Sequence, residues 1–369
     1  MNDRKKYIDI FKGLAIIAVV IGHTNAPIVT HIYLFHVPAF FFIAGYLSKL
    51  DQQKFGEFIL KRIHSLLIPF IFINVFFVLL VSSFTQLDIH ILQPNPISIG
   101  QIKTQLFDLF FNLNAQTEIA GASWFLVTLF QASIISILVI KFIQKFNLKK
   151  WLAILFVFLL MKQAYNYYAI KVPWQLGLDL AASAAFYYIV GWYFQKKSIA
   201  TNNRTNWILS LTSLLVLFLF GTYYFIPQNW PPRIFETEPF LNIITSLVGI
   251  IFLYFSSKLL EQVSWIEKIL SYIGSHTISI LFFHFLGFKL FHVILYLLNL
   301  YPKSSLPELV PYSYNTYWPL VTVFSIAFSL LADYIIRKIP HASFFFLGVK
   351  DMSTIKLLRK IFISNEKKR

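Results

Sequence analysis

The sequence predicts an all-α fold: a polytopic helical membrane protein with about ten transmembrane helices and both termini in the cytoplasm. Hydrophobic residues make up 57% of its 369 residues and charged residues only 13%, whereas a soluble domain carries about a quarter charged residues. The mean hydropathy is +0.65. Apolar runs of about 20 residues, the length that crosses a bilayer, recur from end to end.

Ten apolar stretches are predicted to cross the membrane in chain order. The second has Pro38 in its first turn, where proline is tolerated. The fifth is interrupted by Lys162 and carries tyrosines typical of a membrane interface. Residues 1–340 are therefore predicted to form one integral membrane domain, and residues 341–369 a basic, solvated cytoplasmic tail that faces lipid headgroups. The spans are residues 8–27, 35–48, 66–85, 122–142, 151–170, 176–195, 206–226, 240–260, 276–299 and 317–336.

The net charge of +16 follows this topology and does not indicate nucleic-acid binding. With the N-terminus inside, 26 of the 32 lysines and arginines fall in predicted cytoplasmic segments. This asymmetry is the positive-inside pattern, and it predicts both termini in the cytoplasm. The exceptions are Lys103, Lys162, Lys171, Arg233, Lys289 and Lys303.

Several kinds of chemistry are excluded by composition and spacing. The chain has no cysteine, so disulfides, thiolate nucleophiles and iron–sulfur clusters are ruled out. Its nine histidines show no metal-ligand spacing, and no metal is predicted. The sequence contains neither a Gly-x-Ser-x-Gly elbow nor a phosphate-cradling glycine loop.

The first span carries ionisable residues that are expensive in a bilayer and therefore indicate function. Lys12 and His23 are eleven residues apart, which places them on one helical stripe about 16 Å apart along the axis. Asp9 falls about 40° from that stripe. An imidazole held away from water can take a proton from a hydroxyl and return it to a leaving group. A histidine satisfied at the outer interface is the alternative for His23.

Lys12 and Arg62 are both expected near the cytoplasmic face, where they can hold phosphates. Ordinary positive-inside charges are the alternative, which Arg62 taken alone favours. The distance from Lys12 to His23 is close to the length of an extended pantetheine arm. A coenzyme A with its phosphates at the cytoplasmic surface would thus present its thioester beside His23.

Other polar residues are candidates with structural alternatives. His36 is expected at the outer entrance, where it either orients an acceptor or caps a helix. Asp179 and Lys289 are intramembrane charges that are expected to pair with each other. His284 lies among phenylalanines and is expected to be a hydrogen-bonded core group. Residues 230–233, Trp-Pro-Pro-Arg, are expected to form a stiff, solvated turn.

Three sequence stretches resemble the membrane acyltransferase family 3, in particular its branch of fucose 4-O-acetylase-like proteins. They are YIDIFKG at 7–13 with GHT at 22–24, FHVPAFFFIAGY at 35–46, and KR at 61–62 with LLIPF at 66–70. Weaker similarities lie around Trp124, Asp179 and His284. The sequence departs from the family pattern at Ser65, where a second arginine is usual, and at Ala44, where a serine is usual.

The resemblance implies an inner-membrane O-acetyltransferase of a bacterium. It would move an acetyl or similar short acyl group from acetyl-CoA to a hydroxyl of a cell-surface or lipid-linked glycan. His23 would be the catalytic base, and Lys12 with Arg62 would bind the donor. The further substrate-binding candidates are Asp9, His36, Trp124, Asp179 and His284.

Two other classes of function remain open from the sequence. A glycan-lipid transporter or flippase would use the same intramembrane charges as a translocation path. Such transporters often show matching broken spans in two halves of the chain, and the sequence shows no such repeat. A non-catalytic subunit of a polysaccharide-assembly complex is the third alternative.

Overall fold

The computed structural model describes residues 6–87, 91–92, 99–114, 117–169, 174–195, 201–223, 228–235, 239–309 and 315–351. Most of these residues are helical, and one β-hairpin with two-residue strands lies between two of the helices. The fold class predicted from the sequence, all-α and polytopic, is confirmed. A hydrocarbon environment favours helices because each satisfies its own backbone hydrogen bonds.

Fifteen α-helices are numbered here in chain order within the described residues. Helix α4 runs into α5 through a π-helical turn at Ile63–Leu67, and a 3₁₀ turn at Glu118–Ser123 precedes α7. The helices are α1 Lys6–Gly22, α2 Val29–Tyr33, α3 His36–Tyr46, α4 Phe55–Arg62, α5 Ile68–Gln86, α6 Ile99–Phe111, α7 Trp124–Lys145, α8 Trp151–Ala169, α9 Leu178–Gln195, α10 Asn203–Tyr223, α11 Pro239–Leu260, α12 Ser264–Ser275, α13 Thr277–Leu297, α14 Trp318–Lys338 and α15 Ala342–Leu347.

Each of the ten predicted spans overlaps one of these helices, but the number ten is not confirmed. Among the described residues, 7 helical segments are long and apolar enough to cross a membrane. Helix α1, with 17 residues, is slightly shorter than such a segment. The seven are Val29–Tyr46, Phe55–Gln86, Glu118–Lys145, Asn203–Tyr223, Phe240–Leu260, Thr277–Leu297 and Trp318–Lys338.

Helix α1 occupies the centre of the bundle. It packs most extensively against α12 and also touches α3, α11, α13 and α14. The α1–α12 crossing is close because Gly13 faces the carbonyl oxygen of Leu270, and Gly274 faces the carbonyl oxygen of Asp9. A side chain at either glycine would overlap the opposite backbone. Small residues allow this kind of close approach between helices in membranes, where apolar burial contributes little.

A second close crossing joins α3 to α9. A Cβ atom on Gly45 would overlap the carbonyl oxygen of Tyr188, and one on Gly191 would overlap that of Phe42. Helices α7 and α8 then pack on the remaining faces of α9. Helix α3, the second predicted span, is thus packed between α9 and α1.

The hairpin between α10 and α11 differs from the sequence expectation. Strands Gln228–Asn229 (β1) and Ile234–Phe235 (β2) pair antiparallel, and Gln228 lies opposite Phe235. The expected solvated turn is wrong for Trp230, which is 1% exposed. Its ring packs against Phe41 and Tyr187. The neighbouring prolines favour a turn at the surface, but the large apolar surface of the indole favours burial against these two rings.

The first residues of the predicted C-terminal tail are packed, not solvated. Helix α15 lies against α5, and its Phe344 and Leu347 are buried. Three consecutive phenylalanines at 344–346 explain the contact, since Phe345 stacks near Phe72 at 4.5 Å between centroids. The predicted boundary at residue 340 stays a prediction, and residues 352–369 lie outside the described residues.

The α3–α9 crossing gives a stability prediction. Gly45→Ala is expected to destabilise the protein by about 1–3 kcal/mol or more, because the added methyl group forces the two backbones apart. The measurement is the thermal unfolding midpoint of the purified protein in detergent.

The matched control is Gly56→Ala, where an added Cβ meets nothing within 4 Å. There alanine is expected to stabilise α4 slightly, by up to about 1 kcal/mol, because of its higher helix propensity. Equal unfolding midpoints for the two variants would contradict this account of the crossing.

Candidate active site

A cavity of about 440 Å³ runs beside α1 and is the centre of the candidate site. Lys12 and His23 both line it, so the cavity follows α1 over the three helical turns that separate them. The walls come from α1, α3, the junction of α4 and α5, α7, α13 and the β-hairpin. Other lining side chains include Tyr33, His36, Phe40, Lys61, Arg62, Ser65, Trp124, Phe125, Gln228, Asn229, Trp230 and Leu281.

His23 lies at the end of α1. Its backbone N–H still donates to the carbonyl of Val19 at 3.2 Å, so the residue continues the helical register that aligns it with Lys12. Its ring contacts Phe285 at 4.8 Å and the imidazole of His284 at 5.3 Å between centroids. Lys12 and His23 therefore lie along one wall of the cavity, as their spacing on the helix predicts.

Two further imidazoles surround His23, and both are fixed by backbone carbonyls. Nδ1 of His36 lies 2.9 Å from the carbonyl oxygen of Ile32, and Nδ1 of His284 lies 2.9 Å from that of Ile280. A carbonyl only accepts, so Nδ1 carries the proton in each neutral ring and Nε2 is left as an acceptor. His36 faces the cavity itself, whereas His284 lies behind His23.

Cationic side chains gather at the other end of the cavity. Lys12 forms an ion pair of 2.7 Å with Asp9. Arg62 donates to the Tyr188 hydroxyl at 2.5 Å, and its guanidinium lies 5.0 Å from the centroid of the Phe58 ring. These contacts orient Arg62 without neutralising its charge. Lys61 adds a third positive charge, and Ser65 also lines the cavity.

The β-hairpin and the start of α7 form the end of the cavity opposite the cationic side chains. Gln228 is buried, and its amide donates to the carbonyls of Leu34 and Asn242 at 3.0 and 3.1 Å, which fixes the hairpin to two neighbouring segments. Trp230 and Trp124 then present indole rings to the cavity. This end is therefore aromatic with a few amide groups, in contrast to the cationic end.

The predicted pairing of Asp179 with Lys289 is wrong. The fully buried carboxylate of Asp179 binds Arg233 of the hairpin, at 2.5 Å to Nε and 3.1 Å to Nη2. Lys289 instead donates to the carbonyls of Leu306, Pro307 and Glu308 at 2.6–3.1 Å. Each intramembrane charge therefore has its own partner: the hairpin provides one for Asp179, and the loop after α13 provides one for Lys289.

The cavity thus unites five of the predicted residues: Lys12, His23, His36, Arg62 and Trp124. Asp9 contributes by holding Lys12, His284 lies behind His23, and Asp179 holds the hairpin. Within the described ranges, no group of three metal-ligating side chains is close enough to hold a metal ion.

The sequence reasoning missed Gln228 and Trp230 as wall residues. The available signal was a tryptophan in a loop otherwise typical of a polar turn, which indicates burial.

The arrangement joins an anion-binding end to a general base. Three cations offset by one carboxylate favour a ligand that carries several negative charges. His23 lines the same cavity beside Phe285, and a neutral imidazole at this place can accept a proton. The cavity therefore suits proton abstraction next to a long, phosphate-bearing molecule.

Removing the Arg233 guanidinium should loosen the hairpin wall. Arg233→Met keeps the apolar stem but leaves the buried Asp179 carboxylate without this partner, at an expected cost of about 3–5 kcal/mol. The thermal unfolding midpoint measures the loss, and Arg204→Met in the polar first turn of α10 is the control. Equal midpoints in the two variants would show that the ion pair does not hold the hairpin.

Comparison with known proteins identifies the family of the chain. Residues 5–334 match the model of the family described as "Acyltransferase domain", acyltransferase family 3. A relative among curated proteins is the "Nodulation protein NolL" of Mesorhizobium japonicum, which is 28% identical over 245 residues. That match covers 55% of this chain and 60% of the relative, so the chain spans less than two thirds of its length. No solved structure matches the chain. Because the family model covers nearly the whole sequence, the chain belongs to the membrane acyltransferase family 3 and carries its acyltransferase domain.

Proposed function

We propose that this protein is an O-acetyltransferase of the bacterial inner membrane. It would transfer an acetyl or similar short acyl group from cytoplasmic acetyl-CoA to a hydroxyl of a cell-surface or lipid-linked glycan. The observation that carries the proposal is one continuous cavity lined both by His23 and by the cations Lys12, Lys61 and Arg62.

The cationic end supports an acyl-CoA donor. Arginine and lysine hold phosphates through charge-assisted hydrogen bonds, and Arg62 is already oriented by the Tyr188 hydroxyl. The pantetheine arm would extend along α1 over about 16 Å, the axial distance from Lys12 to His23. Its thioester would then lie beside the imidazole. Lys61, Lys49 and Arg62 also belong to the segment that the positive-inside pattern places in the cytoplasm.

His23 supports the chemical step. In the proposed reaction it takes the proton of the acceptor hydroxyl while the oxygen attacks the thioester carbonyl. The carbon–oxygen bond forms, the carbon–sulfur bond breaks, and the proton passes from His23 to the departing coenzyme A thiolate. The imidazole returns to its neutral form. An attack by a protein hydroxyl first, with a covalent acyl intermediate, would use the same base.

The aromatic end supports a sugar acceptor. Trp124, Trp230 and Phe40 provide apolar ring faces, and Asn229 and His36 provide hydrogen-bonding groups beside them. Large ring surfaces with a few polar groups are typical of sites that bind and orient a small molecule. Asp9 and Asp179 support this site indirectly, by holding Lys12 and the hairpin.

The first test is removal of the base. His23→Ala is expected to lower kcat for acetyl transfer by a factor of about 10²–10⁴, the usual contribution of general-base catalysis. The assay is release of coenzyme A thiol and transfer of labelled acetate to glycan in membranes from cells that make the acceptor.

The matched control is His31→Ala on α2, because His31 packs against Phe218 at 5.6 Å and does not line the cavity. Its activity should match that of the unmodified protein. An unchanged rate for His23→Ala would exclude His23 as the base, and the reaction would then need another residue.

The second test concerns the donor. Lys12→Ala is expected to raise KM for acetyl-CoA by about tenfold, since a charge-assisted hydrogen bond is worth about 1.5–3 kcal/mol and 1.4 kcal/mol corresponds to tenfold. Lys54→Ala is the control, because Lys54 is an exposed lysine whose ion pair with Glu57 is at the surface.

Coenzyme A alone separates an enzyme from the other two classes of function. Ligand binding raises thermal stability by mass action, so coenzyme A should increase the unfolding midpoint of the unmodified protein and less so that of Lys12→Ala. A glycan-lipid transporter or a scaffolding subunit would show no such increase.

A further inference from the structure

His284 is buried directly behind His23, and its imidazole has one nitrogen without a hydrogen bond. The residue is 0% exposed. Nδ1 carries the proton because it lies 2.9 Å from the carbonyl oxygen of Ile280. Nε2 is therefore a bare acceptor, and in the described part of the chain it is buried without a partner. A buried acceptor of this kind needs an explanation, because leaving it unsatisfied costs about 1–3 kcal/mol.

The ring of His23 is a candidate donor to this nitrogen. The two imidazole planes are inclined by only 26°, with centroids 5.3 Å apart. Phe285 contacts both rings, at 4.8 Å from His23 and 4.2 Å from His284, and limits the space around them. Phe288 also contacts His284, at 5.6 Å between centroids, so apolar rings lie beside the pair, and a hydrogen bond between the imidazoles is stronger there than in water.

A general base is normally oriented by a third group, most often a carboxylate. None of the ion pairs among the described residues includes His23. Asp9, on the same helix but about four turns from His23, is paired with Lys12. The position that a carboxylate would take behind the base is occupied by His284.

We propose that His284 is a positioning residue for acetyl transfer: its Nε2 accepts a hydrogen bond from the ring N–H of His23. That bond fixes the tautomer of His23 in which the nitrogen facing the cavity is bare and can take the acceptor's proton. When His23 becomes protonated, the same bond holds the imidazolium in place. Hydrogen bonds of this kind are often long in the absence of substrate and shorten in the reacting complex.

The inference rests on the proposed function and assigns no proton transfer to His284 itself. The proton still moves from the acceptor hydroxyl to His23 and then to the thiolate of coenzyme A. Nδ1 of His284 keeps its bond to Ile280 throughout. His36 has the same tautomer, since its Nδ1 also faces a backbone carbonyl. It faces the cavity, however, and thus touches the substrate region instead of the far side of His23.

Two amide variants test the inference, because each keeps one end of the imidazole. In His284→Gln the amide oxygen can occupy the position of Nε2, so kcat should stay within about threefold of the unmodified protein. In His284→Asn only the position of Nδ1 is filled, so kcat should fall at least about tenfold, a part of the 10²–10⁴ that general-base catalysis contributes. KM for acetyl-CoA should be unchanged in both variants.

His292→Asn is the control on the same helix, because its ring stacks on Tyr301 at 5.1 Å and does not contact His23. Unfolding midpoints with and without coenzyme A establish that each variant is folded and binds the donor. If His284→Asn does not fold, His284→Met, which fills the volume with a side chain that accepts hydrogen bonds only weakly, replaces it in the same comparison.

The outcomes separate the two hypotheses. Activity of His284→Asn equal to that of the unmodified protein, or equal losses in the glutamine and asparagine variants, would overturn the role of His284 and leave the proposed function intact. No acetyl transfer by the unmodified protein would overturn the proposed function itself. A loss of kcat confined to the asparagine variant, with unchanged KM, supports the inference.

Discussion

Close backbone contact between α1 and α12 is the constraint on which the site depends. Gly13 and Gly274 allow the two backbones to come into contact. Both contacts lie on the turn of α1 that carries Asp9 and Lys12. Lipid chains are as apolar as leucine side chains, so burial alone would not fix the rotation of α1. The glycine contacts do fix it. They aim the stripe that carries Lys12 and His23 at the cavity, away from lipid.

The local sequence was sufficient for the helices and for this stripe. Apolar run length predicts membrane helices because an unsatisfied backbone is too costly in hydrocarbon. The alignment of Lys12 with His23 follows from helical periodicity alone, and the backbone bond from His23 to Val19 extends that periodicity by one residue. The meeting of Lys12 and Arg62 in one cavity was also expected, since the positive-inside pattern assigns both residues to the same side of the membrane.

The partners across the bundle could not be predicted from one sequence. Asp179 and Lys289 were expected to pair because both are charged and intramembrane. Instead Asp179 binds Arg233, and Lys289 donates to backbone carbonyls of a loop. The burial of Trp230 depends on Phe41 and Tyr187, which are far from it in the chain. The ring contact of His284 with His23 joins residues on α13 and at the end of α1. Nothing in local periodicity encodes such contacts.

The ion pair between Asp179 and Arg233 also determines whether the β-hairpin at one end of the cavity can move. The carboxylate is entirely enclosed, whereas the guanidinium is partly exposed. An outward swing of the hairpin would leave a naked negative charge among apolar helices, and that state is too costly to be populated appreciably. The hairpin is therefore a fixed partition and not a gate. Trp230, which the hairpin carries, therefore keeps its place in the cavity wall, and the shape of that wall is set before any ligand arrives.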